Sequence, residues 1–93
     1  MITVQQLGLD INYLKKSEAA RKQICVDIIK KAFGKMTVNA SYIERINAIN
    51  TVLQNSIKYC ESVENYESAK ILFDIQKTLE ADAEKLKQEI LNG

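Results

Sequence analysis

Eight carboxylates crowd the C-terminal part of the chain: Glu61, Glu64, Glu67, Asp74, Glu80, Asp82, Glu84 and Glu89. Carboxylates paired on one helix face could hold a hard metal ion or share acid–base work. Most of these stand three or four residues from a lysine instead: Lys70 with Asp74, Asp74 with Lys77, Glu84 with Lys87, and Lys85 with Glu89. Side chains so spaced are neighbours on a helix surface, where each pair is worth ~0.2 to 0.5 kcal/mol, and the pattern predicts a solvated face. The chain contains no histidine, so the usual base near neutral pH is missing, along with a common metal ligand. No Gly-rich phosphate loop is present, and neither a serine nor a cysteine stands at a recognisable spacing from a base. The residues therefore predict no catalytic site, no cofactor and no metal site, and the protein reads as a non-enzyme. Cys25 and Cys60 fall within apolar helical patterns, where a free cysteine behaves as a small hydrophobe, and both are expected to be reduced core residues.

The elements that would carry these residues are helices. The 93 residues make one domain, 46% apolar and 27% charged, which is too apolar for disorder. With no proline and three glycines, the punctuation of a many-turned β fold is missing. Ser41 and Glu44 have capping-box spacing, and from there Tyr42, Ile46, Ile49, Leu53, Ser56, Cys60 and Val63 step by four and three, with Ile43, Val52 and Ile57 widening the stripe. Asn65 is an N-cap candidate for a second run through Ala69, Leu72, Gln76, Leu79, Ala83, Leu86 and Ile90. So short a corner forces the two helices antiparallel and side by side. The expectation is an all-α fold, a small antiparallel bundle of three long or four helices built around a hairpin at about 41–91.

The N-terminal part is less regular. Thr3 and Gln6 form another capping box, and Val4, Leu7, Ile11 and Leu14 predict a short amphipathic helix weakened by Gly8. The stripe fails across "KKSEAARKQ", residues 15 to 23, where Ser17 and Glu18 suit a new helix start, so a break is preferred to one long helix. Ile24, Cys25, Ile28, Ile29, Ala32 and Phe33 follow as a broad apolar face, with Gly34 expected as the C-cap.

Within the hairpin, "SIKYCESVENYESAKILFDIQKTLEADAEKL", residues 56 to 86 and about a third of the chain, resembles the last helix pair of the bacterioferritins, in the ferritin-like family. The likeness is carried by Ile57, Cys60, Glu61, Val63, Asn65, Tyr66, Ser68, Ile75, Glu80 and Leu86. That family binds two irons through carboxylates and Glu-x-x-His pairs on facing helices. The resemblance aligns Leu79 and Asp82 with such a pair and Ile46 with the preceding carboxylate, which implies a ferritin-like shape without the metal site. The segment "NYESAKILFDIQKTLE" is also similar to the UVR interaction hairpin of excision-repair and protease-adaptor proteins, through Tyr66, Glu67, Ala69, Leu72, Asp74, Lys77, Leu79 and Glu80, and to one helix of a tetratricopeptide repeat. Shared corner geometry accounts for all three: an amide cap, an aromatic packing back over the turn, a small Ala69 and leucines behind. A fold motif alone carries little functional information.

Charge divides unevenly. Residues 1 to 38 hold seven Lys or Arg against three acids, and residues 39 to 93 hold six against nine. Nucleic-acid binding would rest on Lys15, Lys16, Arg21, Lys22, Lys30, Lys31 and Lys35, yet Lys30, Lys31 and Lys35 simply occupy the helix face opposite Ile28 and Phe33. The N-terminal "MITVQQLG" lacks the pattern of a signal peptide, and no stretch approaches the ~20 apolar residues of a membrane span. A cytoplasmic protein without a membrane partner is expected. What remains is association through helices, with a protein partner or a second copy. The expected function is an adaptor, small inhibitor or regulator, with Tyr59, Phe73 and Ile75 at the seam border as interface residues. The alternatives are a small nucleic-acid-binding regulator and a degenerate ferritin-like protein.

Overall fold

The computed structural model describes residues 2–35 and 41–81. They form three α-helices, α1 at Glu18–Gly34, α2 at Tyr42–Ser62 and α3 at Tyr66–Ala81, preceded by two short 3-10 turns at Gln5–Leu7 and Ile11–Lys15. The described residues contain no strand, and the architecture is a small all-α bundle. The expected continuation of the hairpin to residue 91, with Ala83, Leu86 and Ile90, lies outside the described residues.

α2 begins where the capping box placed it. Ser41 is extended, and its Oγ accepts from the Glu44 N–H at 3.2 Å, satisfying a first-turn donor that the helix leaves without a partner. Along the seam, Ile49, Leu53, Ser56 and Cys60 of α2 and Ala69, Leu72, Gln76 and Leu79 of α3 are all at most 9% exposed. Two parts of the expected stripe differ. Val63 is 53% exposed because the chain has already left the helix there, and of the three widening residues only Ile57 is buried, Ile43 and Val52 standing 70% and 41% exposed.

The corner takes three residues. The Asn65 N–H donates to the Cys60 carbonyl at 2.8 Å and the Glu64 N–H to that of Glu61 at 3.1 Å, the crossed pair of a Schellman motif. That motif needs a left-handed residue, and Glu64 supplies it at φ 61°. Asn65 then turns from ending α2 to starting α3: its Oδ1 accepts from the Ser68 N–H at 3.3 Å and its carbonyl from the Ala69 N–H at 3.1 Å. One residue thus satisfies groups at both helix ends, which is why the connection can be so short.

α1 starts at the expected break, with Ser17 extended and its Oγ accepting from the Ala20 N–H at 3.2 Å. Its buried side chains are Cys25, Ile29 and Phe33, and it packs chiefly on α3. Gly34 is not the C-cap. The helix runs through it and closes at Lys35 in a right-handed conformation, with no left-handed residue there.

The N-terminal segment departs furthest from expectation. The Thr3–Gln6 capping box forms with both reciprocal bonds, Thr3 N–H to Gln6 Oε1 at 2.9 Å and Gln6 N–H to Thr3 Oγ1 at 3.2 Å. It starts only a single 3-10 turn. Gly8 turns left-handed at φ 75°, and Asp10 caps a second turn by accepting from the Asn12 N–H at 2.8 Å. Splitting the helix re-aims its side chains: Ile11, expected on the apolar stripe, is 50% exposed, while Tyr13 is 1% exposed in the core. The Ile2 N–H donates to Ser56 Oγ at 2.8 Å, and that hydroxyl donates to the Val52 carbonyl at 2.8 Å. The segment is thereby tied to the middle of α2.

Candidate functional site

α1 covers one side of the hairpin, and a groove of about 380 Å³ runs along α2 and α3 elsewhere, lined by Gln54, Ile57 and Glu61 of α2 and by Tyr66, Ala69, Lys70, Phe73 and Gln76 of α3. Tyr66 and Phe73 are seven residues apart, two turns of a helix, and so share a face. They stand 63% and 53% exposed. Ala69, small where a leucine would fill the space, keeps the groove deep, and Ile57 provides an apolar floor. The floor is polar in one place, where Gln76 Nε2 donates to Asn50 Oδ1 and to Gln54 Oε1, each at 2.9 Å. A buried amide held this way fixes the register of the two helices at some cost in apolar contact.

The three expected border residues do not form one surface. Phe73 lies on the groove. Tyr59 is 50% exposed, but it is two residues from both Ile57 and Glu61, and at 100° per residue it points away from the side of α2 that lines the groove. Ile75 is a correction: at 1% exposure it belongs to the core, because α1 and the N-terminal turns pack on the side of α3 that the hairpin seam leaves uncovered.

A second cluster was not foreseen. The Tyr13 hydroxyl donates to Asp74 Oδ2 at 3.0 Å and lies 3.2 Å from Cys25 Sγ, and the Arg21 guanidinium approaches the same carboxylate at 3.8 Å. These groups come from the second 3-10 turn, α1 and α3, and they border a cavity of about 280 Å³. Asp74 was expected to pair with Lys70 and Lys77 on a solvated face, but it turns inward to Tyr13. Arg21, one of the candidate nucleic-acid contacts, is drawn to Asp74, whereas Lys15, Lys16, Lys22, Lys30, Lys31 and Lys35 are exposed. No local spacing could have revealed a Tyr13–Asp74 pair 61 residues apart. Asp74 lies beyond Ile71 at the border of the apolar face of α3, beside Lys70 and Lys77, so its own spacing pointed to the solvated side.

Electrostatics makes this cluster quiet. Burial pushes the Cys25 thiol up, and the Tyr13 and Thr78 hydroxyls offset that only in part. The Tyr13 phenol is raised far above its ordinary value, first by burial and then by Cys25 and Asp74. A thiol is nucleophilic as its thiolate, so Cys25 is held in its unreactive form. Both cysteines are free and buried. Of the positions that the ferritin-like resemblance aligns with iron ligands, Leu79 is fully buried in the seam and Ile46 packs against the core, while Asp82 lies outside the described residues. Among the described residues no helix is long and apolar enough to cross a membrane.

Compared with family models, curated proteins and solved structures, the chain matches none.

Proposed function

We propose that the chain is a non-enzymatic interaction module, an adaptor, small inhibitor or regulator, whose hairpin receives a helix from a protein partner or from a second copy. The observation that carries this reading is the groove between α2 and α3, where Tyr66 and Phe73 stand more than half exposed beside a floor of Ile57 and Ala69. Large aromatic side chains at the edge of an apolar groove are typical anchors, and an amphipathic helix laid between two others completes a bundle by the same packing that joins α2 to α3. Glu61 on one bank and Lys70 on the other suit a partner helix carrying both signs at its margins. The free cysteines support a reducing, cytoplasmic setting.

The test is solution mass by light scattering at low and high salt, with affinity capture from a cell extract for a foreign partner. Phe73→Ala is expected to abolish association while costing less than about 1 kcal/mol of stability, since the ring is half exposed. A loss of about 3 kcal/mol or more with association unchanged would mean that the ring is core. A complex that forms only with nucleic acid, and dissolves steeply as salt rises, would transfer the function to the basic N-terminal half.

A further inference from the structure

α1 and α2 leave a gap where they pass. Because α1 packs chiefly on α3, a cleft of about 210 Å³ remains between it and α2, floored by Ile29, Leu53 and Ile75 and open to solvent beside the exposed Ala48 and Val52. Those three residues are 0%, 4% and 1% exposed. Ala32 of α1 and Ala48 of α2 form its walls, and Ile2 and Leu7 of the N-terminal segment complete the lining. The walls offer no polar surface.

We propose that this cleft is a binding site for a small, uncharged, apolar molecule the size of one aromatic ring or a short alkyl chain. Each other class of occupant meets a physical obstacle. Stable water needs two to four polar partners, and the lining has none. A charged or hydrogen-bonding group placed there would be desolvated without compensation. A helix, roughly 10 Å across with its side chains, is too large for the space. Water held against such walls is poorly ordered, and an apolar group that displaces it gains affinity. Its size rests on two alanines, and a longer side chain at either would fill it. The N-terminal segment is fastened by the bond from the Ile2 N–H to Ser56 Oγ, so Ile2 is held at the cleft and does not close over it as a loose flap. The site shares no residue with the α2–α3 groove, so it stands or falls independently of the interaction reading.

Benzene is the probe, titrated into the full-length protein and followed through side-chain methyl resonances and thermal melting. Saturable shifts confined to the methyls of Ile29, Leu53, Ile75 and Ala48 are expected, with a melting temperature that climbs with benzene concentration as preferential binding to the folded state requires. Ala48→Leu puts a good helix former at an exposed position and fills the cleft. It is expected to reduce benzene affinity at least tenfold while the melting temperature without benzene holds or rises. Ala32→Leu fills the same space from α1 and gives the same reading should the first variant misfold. Shifts that do not saturate, shifts centred on Phe73, or benzene affinity unchanged in either filled variant that folds would each overturn the proposal.

Discussion

Glu64 holds the sharpest local conflict between residue type and backbone. It is the one non-glycine residue at positive φ among those described, and the left-handed conformation costs an L-residue about 1 to 2 kcal/mol because Cβ approaches the following carbonyl. Glycine is the usual residue at this point of a Schellman motif. Glu64→Gly is therefore expected to stabilise the protein by about 0.5 to 1 kcal/mol, the strain relieved being partly offset by the greater freedom glycine gives the unfolded chain. Urea denaturation would measure it as a higher midpoint with an unchanged slope. A lower midpoint would show that the Glu64 side chain contributes more than its backbone strain costs. The residue was not legible as a turn former, since glutamate gives no such signal. Asn65 beside it was legible, because an amide before an apolar run is a start signal whatever precedes it.

Among the elements, the hairpin was readable because its information is local and periodic. Each step from Ile49 to Cys60 and from Ala69 to Leu79 repeats at three or four residues, and both capping serines, Ser17 and Ser41, accept the first-turn bonds their positions predict. The N-terminal segment shows what such reading misses. Its capping box forms as written, yet the helix stops after one turn at Gly8, and the order that follows comes from long-range bonds that no spacing encodes. The bond from the Ile2 N–H to Ser56 Oγ spans 54 residues, and Ser56 itself read only as one step of the α2 stripe. Its role can be tested. Ser56→Ala keeps the seam small and helical but removes the acceptor, leaving the Ile2 N–H without its partner, at an expected cost of about 1 to 2 kcal/mol. Hydrogen exchange should then show faster exchange across residues 2–9 with the hairpin amides still protected. Equal exchange throughout would mean that Val4, 3% exposed in the core, holds the segment without the bond.

At the scale of the whole molecule, the second 3-10 turn, α1 and α3 converge on Tyr13, Cys25 and Asp74, and their meeting makes stability depend on pH on the alkaline side. Tyr13 and Cys25 are each 1% exposed, and burial raises both above their ordinary values of 10.0 and 9.0, far above for Tyr13. For a group whose folded value is raised, the stabilising contribution is complete below the unfolded value and declines as pH climbs above it. Below pH 9 both groups are protonated in either state and nothing is lost. Above pH 9 the unfolded chain releases the Cys25 proton while the folded chain retains it, and above pH 10 Tyr13 follows. Each such group then removes up to about 1.4 kcal/mol of stability per pH unit. Unfolding free energies measured from pH 7 to 11 should therefore fall above pH 9 and steepen above pH 10. Cys25→Ala should delay the onset, and Tyr13→Phe should remove the steepening, although that variant also loses the bond to Asp74 and starts about 1 kcal/mol lower at pH 7. The comparison rests on slopes, not on absolute stability, so that lower start does not confuse it. If the double variant declined as steeply as the unmodified chain, the alkaline sensitivity would have to come from elsewhere in the bundle, and the three-element junction would be a packing contact without a titrating role.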